Sequence, residues 1–209
     1  KRVLNESIIF ATLRIIKFFQ RMKRVAVFAS GSGTNFQQIC EYFNQKNNDI
    51  KIELLIVNKK NAYVLERAKQ LNVKSQYFNR EDFYYSDRVV ECLKENQIDF
   101  IVLAGFLWLI PDNILKEYPN KIINIHPALL PKYGGKGMHG HHVHEAVIAA
   151  KEPESGITIH YVNEHYDEGN IIFQAKCSIT PEDTADSLAE KIHLLEKEHF
   201  PKVIDSLLS

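Results

Sequence analysis

An asparagine and a histidine stand two positions apart at the end of an apolar run, in the segment NIHPALLP that begins at Asn124. Residues two apart on a β-strand share a face, so the Asn124 amide and the His126 imidazole would point to the same side. Together these groups can hold a carbonyl oxygen and stabilise the oxyanion that it becomes during acyl transfer. Because an isolated Asn-x-His is more often structural, the pair is a candidate catalytic site only alongside other signals.

The segment HYVNEHYDEG, residues 160–169, brings acids, amides and histidines into the loop that follows another apolar strand. A carboxylate from this loop could pair with His126, hold the imidazole cationic and relay a proton. The residue types alone do not decide among Glu164, Asp167 and Glu168.

A third candidate is the loop SGSGTN, residues 30–35, between an apolar run and a helix-like stretch. Its glycines permit a tight turn, and the helix start offers free N–H groups and a positive dipole end. Phe36 occupies the place of the third glycine of a dinucleotide-binding loop, and the Lys-Ser/Thr of a P-loop is missing. The loop therefore predicts a phosphate monoester site, with an ordinary strand-to-helix turn as the alternative.

Alternating strands and helices must position these residues. The predicted strands are 24–29, 52–57, 75–78, 99–104, 121–125, 156–162 and 170–178, and the predicted helices are 36–43, 61–71 with Asn61 as cap, 81–96, one opened by Pro111, and 184–208, interrupted or bent near Pro201. This alternation is typical of an α/β fold with a mostly parallel, twisted sheet flanked by helices. Ligands of such sheets gather at the carboxyl ends of the strands, where the candidate residues stand. No linker interrupts residues 22–209, which predicts a single domain.

Residues 1–21 are interpreted separately. Their apolar run, residues 8–13, is cut off by Arg14 and Lys17 and is too short for a membrane span or a signal-peptide core. Met22 directly precedes the first strand, so we expect the fold to begin there and 1–21 to be an N-terminal extension outside it. The alternative is a cationic targeting or amphipathic segment.

The composition excludes several classes of protein. The chain of 209 residues is 45% hydrophobic and 25% charged, which is typical of a globular protein and excludes a disordered chain. Lys+Arg and Asp+Glu both number 26. The chain therefore lacks the basic excess that is typical of nucleic-acid-binding proteins. Cys40, Cys92 and Cys177 match no zinc spacing and predict reduced thiols of a cytoplasmic protein.

Four segments together resemble a known family. The loop SGSGTN, LAGF at 103–106, NIHPALLPKY at 124–133 and HYVNEHYDEGNII at 160–172 resemble, in order and spacing, the phosphoribosylglycinamide formyltransferases of purine biosynthesis. The resemblance covers essentially all of residues 22–209. It implies a Rossmann-like formyltransferase fold and transfer of a formyl group from the co-substrate 10-formyltetrahydrofolate to the amino group of 5'-phosphoribosylglycinamide. Asn-x-His-Pro is shared by all folate-dependent formyltransferases, and the glycine loop narrows the substrate.

The resemblance also implies roles for particular residues. The catalytic trio would be Asn124, His126 and Asp167. The phosphate and glycinamide would be bound by Gly33, Thr34, Asn35 and Glu196, and the folate by Arg80, Leu107, Trp108, Leu109, Ile110 and Asn124. Trp108 departs from the arginine common at its position, and the extra residues 82–86 make the match at Arg80 insecure.

A histidine cluster, His139, His141, His142 and His144, lies in the atypical segment 133–144. Clustered histidines can hold a metal, but no carboxylate beyond Glu145 completes a ligand set at typical spacing, and the resemblance implies no catalytic metal. We expect the cluster to lie on a loop over the active site, with His144 at its base.

The expected mechanism is direct attack of a neutral amine on the formyl carbon. Asn124 would donate to the oxyanion, while His126, held protonated by Asp167, would donate a second hydrogen bond or a proton. No covalent intermediate is required. The expected partners are small molecules only, with no nucleic acid and no membrane, and the chain would be a monomer or homodimer.

Other functions remain possible at this point. Within the class they are methionyl-tRNA formyltransferase, formyltetrahydrofolate hydrolase and sugar-nucleotide formyltransferase. Outside it, the chain could be a non-catalytic Rossmann-like nucleotide-binding module, although such a module has no need of all three catalytic residues.

Overall fold

The computed structural model describes residues 22–46 and 49–209, and the predictions for residues 1–21 lie outside the described part. The strands are β1 (Lys23–Ala29), β2 (Ile50–Val57), β3 (Lys74–Tyr77), β4 (Phe100–Leu103), β5 (Ile122–His126), β6 (Glu154–Tyr161) and β7 (Ile171–Ser178). The helices are α1 (Thr34–Gln45), α2 (Val64–Gln70), α3 (Arg80–Tyr84), α4 (Arg88–Glu95), α5 (Asp112–Glu117), α6 (His141–Ala149) and α7 (Ala185–Leu208).

One seven-stranded sheet runs through the molecule in the order β3-β2-β1-β4-β5-β6-β7. The pairs from β3 to β5 are parallel, whereas β6 pairs antiparallel with both β5 and β7. The predicted α/β class with a mostly parallel sheet is confirmed. None of the helices described in residues 22–46 and 49–209 is long and apolar enough to cross a membrane.

Apolar side chains cover both faces of the sheet. Along β1, Val25 and Val27 pack into a cluster with α1, α2, α6 and α7, while Ala26 and Phe28 pack into a second cluster with α3, α4 and α5. A strand buried on both faces must be apolar at nearly every position, which explains the continuous apolar runs in the sequence. The sheet thus lies between two layers of helices. The candidate site residues lie at the carboxyl ends of its strands.

The prediction of one helix over 81–96 was wrong, because α3 and α4 are separate. Asn79 caps α3 by accepting from the Asp82 N–H at 2.8 Å. The Ser86 hydroxyl then donates to the Asp82 carbonyl at 2.7 Å and accepts from the Arg88 N–H at 3.3 Å. The Ser86 hydroxyl thus provides hydrogen bonds to backbone groups that would otherwise bond within a continuous helix.

The Asn61 cap was also wrong, since α2 begins at Val64 without a side-chain cap. The Val64 N–H instead donates to the Gly31 carbonyl at 3.1 Å, so the glycine loop itself satisfies the start of the helix. The last helix, by contrast, begins at the predicted place, with Thr184 and Ser187 forming a reciprocal cap, and it continues through Pro201 without interruption.

Candidate active site

A cavity of about 550 Å³ opens at the carboxyl ends of β1, β4 and β5. Most of the predicted site residues line it, namely Gly33, Thr34, Asn35, Leu107, Trp108, Leu109, Ile110, Asn124, His126, Asp167 and Glu196. Residues far apart in the chain meet here because parallel strands end at one edge of the sheet. Arg80 does not line the cavity. Its guanidinium lies 5.0 Å from the Tyr84 ring centroid and 6.0 Å from that of Trp108.

The three candidate acids of the loop 160–169 differ in position. Asp167 lines the cavity, whereas Glu164 and Glu168 are exposed and do not. The Asp167 Oδ2 accepts from the Gly135 N–H at 2.9 Å and lies 3.5 Å from the His126 Nδ1. Burial raises the pKa of this carboxyl, but the contacts with His160 and His126 and the Gly135 N–H outweigh burial and lower it. Asp167 is therefore an ionised carboxylate beside the imidazole.

Burial of His126 opposes the expectation that Asp167 holds its imidazole cationic. His126 is only 3% exposed, and burial lowers its pKa below the ordinary value despite the nearby carboxylate and the Tyr133 carbonyl. Nε2 donates to that carbonyl at 2.7 Å, because a carbonyl oxygen can only accept. Nδ1, which faces Asp167, is therefore the position that can receive a further proton.

His160 completes the group, and the sequence analysis gave it no role. Its Nδ1 donates to the Tyr161 carbonyl at 2.8 Å, which leaves Nε2 to accept from the Asn124 amide at 3.1 Å. The second amide hydrogen of Asn124 points to Asp167 Oδ1 at 3.3 Å. Asn124 and His160 are direct partners in the antiparallel pairing of β5 and β6. That register is the signal that would have found His160.

The glycine loop lines the same cavity. Gly33 has φ 76°, a left-handed conformation, and a Cβ there would lie 2.2 Å from Val64 Cγ2. The first turn of α1 itself holds no acidic residue, so its free N–H groups and the positive end of the helix dipole can attract an anion. The Asn35 side chain is already engaged, because its amide donates to Glu196 Oε2 at 3.0 Å.

The segment Leu107–Ile110 is tied to this loop through the end of β1. The Ser30 hydroxyl accepts from the Leu107 N–H at 3.0 Å, and the Ser30 N–H donates to the Gly105 carbonyl at 3.1 Å. Trp108 packs against Phe83 with ring centroids 5.2 Å apart. The cavity therefore has an aromatic wall next to its polar end.

The prediction that the histidine cluster lies on a loop holds only for His139, which precedes α6 and lines the cavity. His141, His142 and His144 belong to α6, whose Val143 and Val147 are fully buried against the sheet. Burial lowers the pKa of His144, which lines the cavity, to about 4. Within residues 22–46 and 49–209, no three His, Cys, Asp or Glu side chains are arranged to hold a metal ion.

Comparison with known proteins supports one family. The family model described as "Formyl transferase" matches residues 23–204. The Bacillus subtilis phosphoribosylglycinamide formyltransferase is 38% identical over 191 residues, which are 90% of this chain and 95% of that protein. The chloroplastic phosphoribosylglycinamide formyltransferase of Arabidopsis thaliana is 39% identical, over 86% of this chain and 62% of its own length.

A solved structure agrees in fold. The crystal structure of glycinamide ribonucleotide transformylase 1 from Geobacillus kaustophilus is 40% identical and superposes with a TM-score of 0.83. The match covers 90% of this chain and 100% of that one.

Proposed function

The chain belongs to the formyl transferase family, and we propose that it transfers the formyl group of 10-formyltetrahydrofolate to the amino group of 5'-phosphoribosylglycinamide. One observation carries the proposal: a single cavity joins the Asn124, His126 and Asp167 group to a glycine loop at a helix N-terminus. Acyl transfer needs the first feature, and a phosphorylated acceptor fits the second.

The phosphoribosyl end is assigned to the glycine loop. The backbone N–H groups of Gly33, Thr34 and Asn35 would receive the phosphate, since the Asn35 side chain already donates to Glu196. Glu196, buried in the cavity wall, would contact the ribosyl-glycinamide portion of the acceptor. This arrangement would direct the primary amine towards the end of β5.

The folate end is assigned to Leu107–Ile110 and Asn124. The Trp108 ring would form one wall for the reduced pterin or the aromatic ring that follows it. Arg80 stacks on Tyr84 and Trp108 rather than facing the cavity, so its contribution to folate binding would act through the position of the tryptophan.

Chemistry would begin with attack of the neutral amine on the formyl carbon, which forms the new C–N bond and a tetrahedral oxyanion. The Asn124 amide would donate to that oxygen, after releasing one of its two present acceptors, Asp167 or His160. Preorganised donors of this kind change acyl-transfer rates by about 10²–10³-fold.

Proton transfer is assigned to His126 and Asp167. The Nδ1 of His126 would take the proton lost by the attacking amine, and the facing Asp167 carboxylate would stabilise the resulting imidazolium. The proton would then pass to N10 of the folate as the C–N10 bond breaks. Donation from Nε2 to the substrate would first require the Tyr133 carbonyl to release it.

The remaining parts of the proposal concern the domain, the cofactors, the location and the assembly of the chain. Residues 22–209 would form the formyltransferase domain. The reaction needs neither a metal nor a covalent intermediate, and the chain would act on small molecules in the cytoplasm, as a monomer or homodimer.

The direct test measures tetrahydrofolate release from 10-formyltetrahydrofolate, with and without phosphoribosylglycinamide. Release that requires the acceptor, together with formylated acceptor in equal amount, is the expected result. Release without the acceptor would indicate a hydrolase, and no release in either case would contradict the proposal.

A further inference from the structure

Arg67 on α2 contacts the glycine loop, residues 31–35, without lining the cavity itself. Its Nε donates to the Ser32 carbonyl at 2.8 Å. Its Nη1 donates to the Gln37 side chain on α1, and its guanidinium lies 5.1 Å from the Tyr63 ring centroid. The side chain is thus fixed at three points between the loop and the two helices beside it.

Val64, in the first turn of α2, supports the same loop at Gly31 and Gly33. The Val64 N–H donates to the Gly31 carbonyl, and the Val64 side chain fills the space where a Cβ on Gly33 would lie. With Arg67 bonded to Ser32, contacts from one helix reach three consecutive loop residues. The shape of the loop therefore depends on α2.

The bond to Ser32 has an electrostatic consequence for the loop. A carbonyl oxygen that faced the cavity would repel a bound anion, whereas one held by a guanidinium is directed to the protein. Hydrogen bonds from a charged donor are about twice as strong as neutral ones, so this carbonyl is firmly held. The loop N–H groups then remain the polar groups offered to a ligand.

The positive charge of Arg67 is also left without a protein counterion. Among the described residues, no carboxylate lies within ion-pair distance of its guanidinium, and its bonded partners are a carbonyl and an amide oxygen, both uncharged. Five N–H donors are available on a guanidinium, and two of them are used here. An unneutralised cation beside a loop of N–H groups favours an anionic ligand.

We propose that Arg67 is a positioning residue, which holds the glycine loop in its anion-binding conformation and adds positive charge to that site without touching the substrate. The inference rests on the proposed phosphate site. It makes Arg67 a determinant of selectivity for a phosphorylated acceptor over the same acceptor without its phosphate.

The test compares the steady-state kinetics of Arg67→Ala, Arg67→Lys and Lys69→Ala. The control removes an equal charge from an exposed position of the same helix. Arg67→Ala should raise the KM for phosphoribosylglycinamide at least about tenfold, as expected for a lost charged hydrogen bond, with kcat and the folate KM within about twofold. Arg67→Lys should recover part of the loss, and Lys69→Ala should match the wild type.

Competition by inorganic phosphate provides a second readout, which tests the anion site apart from the rest of the acceptor. Its inhibition constant should rise in Arg67→Ala and stay unchanged in Lys69→Ala. An unchanged KM and phosphate constant, or an equal rise in the folate KM, would overturn the inference. If Arg67→Ala does not fold, the KM for phosphoribosylglycinamide of Arg67→Lys is compared with that of Lys69→Ala instead. A wild-type KM in Arg67→Lys would overturn the inference, because the site would then not depend on the guanidinium geometry.

Failure of this inference can be told apart from failure of the proposed function. If Gly33→Ala weakens acceptor binding while Arg67→Ala does not, only the role of Arg67 is wrong. If inorganic phosphate fails to compete with the acceptor in the wild type, the phosphate site itself is wrong. If the wild type does not transfer a formyl group, the function is wrong.

Discussion

The Asn35 amide donates to the Glu196 carboxyl at 3.0 Å and so joins the first described helix to the last across one side of the cavity. Glu196 is 8% exposed. Burial raises its pKa to about 7, and the bond from Asn35 opposes this only in part. A glutamate in an unfolded chain titrates near pH 4.5. Ionisation of Glu196 therefore works against folding.

Glu196→Gln should change how stability depends on pH. Between pH 4.5 and 7 the folded protein binds more protons at this site than the unfolded chain, so wild-type stability falls as the pH rises through this window. The glutamine keeps an acceptor for Asn35 and cannot ionise. Urea unfolding should give a variant up to about 3 kcal/mol more stable than the wild type at pH 8, with little difference at pH 4.5. The exposed Glu190→Gln on the same helix is the control, and an equal gain there would refute the assignment.

Two glycines of the same loop should respond differently to alanine. At Gly33 the added Cβ meets Val64 at 2.2 Å and the backbone has φ 76°, whereas at Gly31 no atom lies within 4 Å of an added Cβ. Gly33→Ala should therefore lose about 1–3 kcal/mol of stability and weaken acceptor binding more than folate binding. Gly31→Ala should unfold like the wild type. Thermal unfolding and the two KM values measure this difference, and equal stability losses would argue against the loop geometry.

Trp108 should report folate binding by its fluorescence, because it is the single tryptophan of the chain and lines the cavity. Addition of tetrahydrofolate should quench or shift the emission, while ribose 5-phosphate should leave it nearly unchanged. Trp108→Phe gives the blank for both titrations. If ribose 5-phosphate changes the emission and tetrahydrofolate does not, the phosphorylated acceptor and not the folate would bind beside Trp108.

The sequence is sufficient to predict those site residues whose placement depends on their near neighbours in the chain. Asn124 and His126 follow from strand alternation, and the loop at Gly33 follows from glycines between a strand and a helix. These features sit at strand ends, where α/β folds concentrate ligand contacts, so an approximate strand assignment was enough to place them.

The missing features depend on contacts between distant segments. His160 joins the site because it pairs with Asn124 across β5 and β6. The register between two strands cannot be derived from the sequence alone. Helix α6 was missed because a run of histidines obscures the buried spacing of Val143 and Val147. The pKa of His126 is lowered because the whole fold buries its imidazole. The sequence indicates a carboxylate near this residue but does not show the burial.

The central claim is that Asp167 and His126 act as one proton-transfer unit, and the near-isosteric Asp167→Asn removes its charge. The folded structure should survive, but the imidazolium formed on His126 would lose its stabilising carboxylate. Combining this change with His126→Ala should be little worse than the worse single change, because residues that act as a unit are not additive. Glu164→Gln and Glu168→Gln, at exposed positions of the same loop, are the matched controls.

Single-turnover kinetics at saturating concentrations of both substrates test this claim most directly. The account predicts that the rate of formyl transfer falls at least about 10³-fold in Asp167→Asn, with a modest change in KM and near-wild-type rates in both glutamate variants. A near-wild-type rate in Asp167→Asn, with the loss appearing instead in Glu164→Gln or Glu168→Gln, would contradict it.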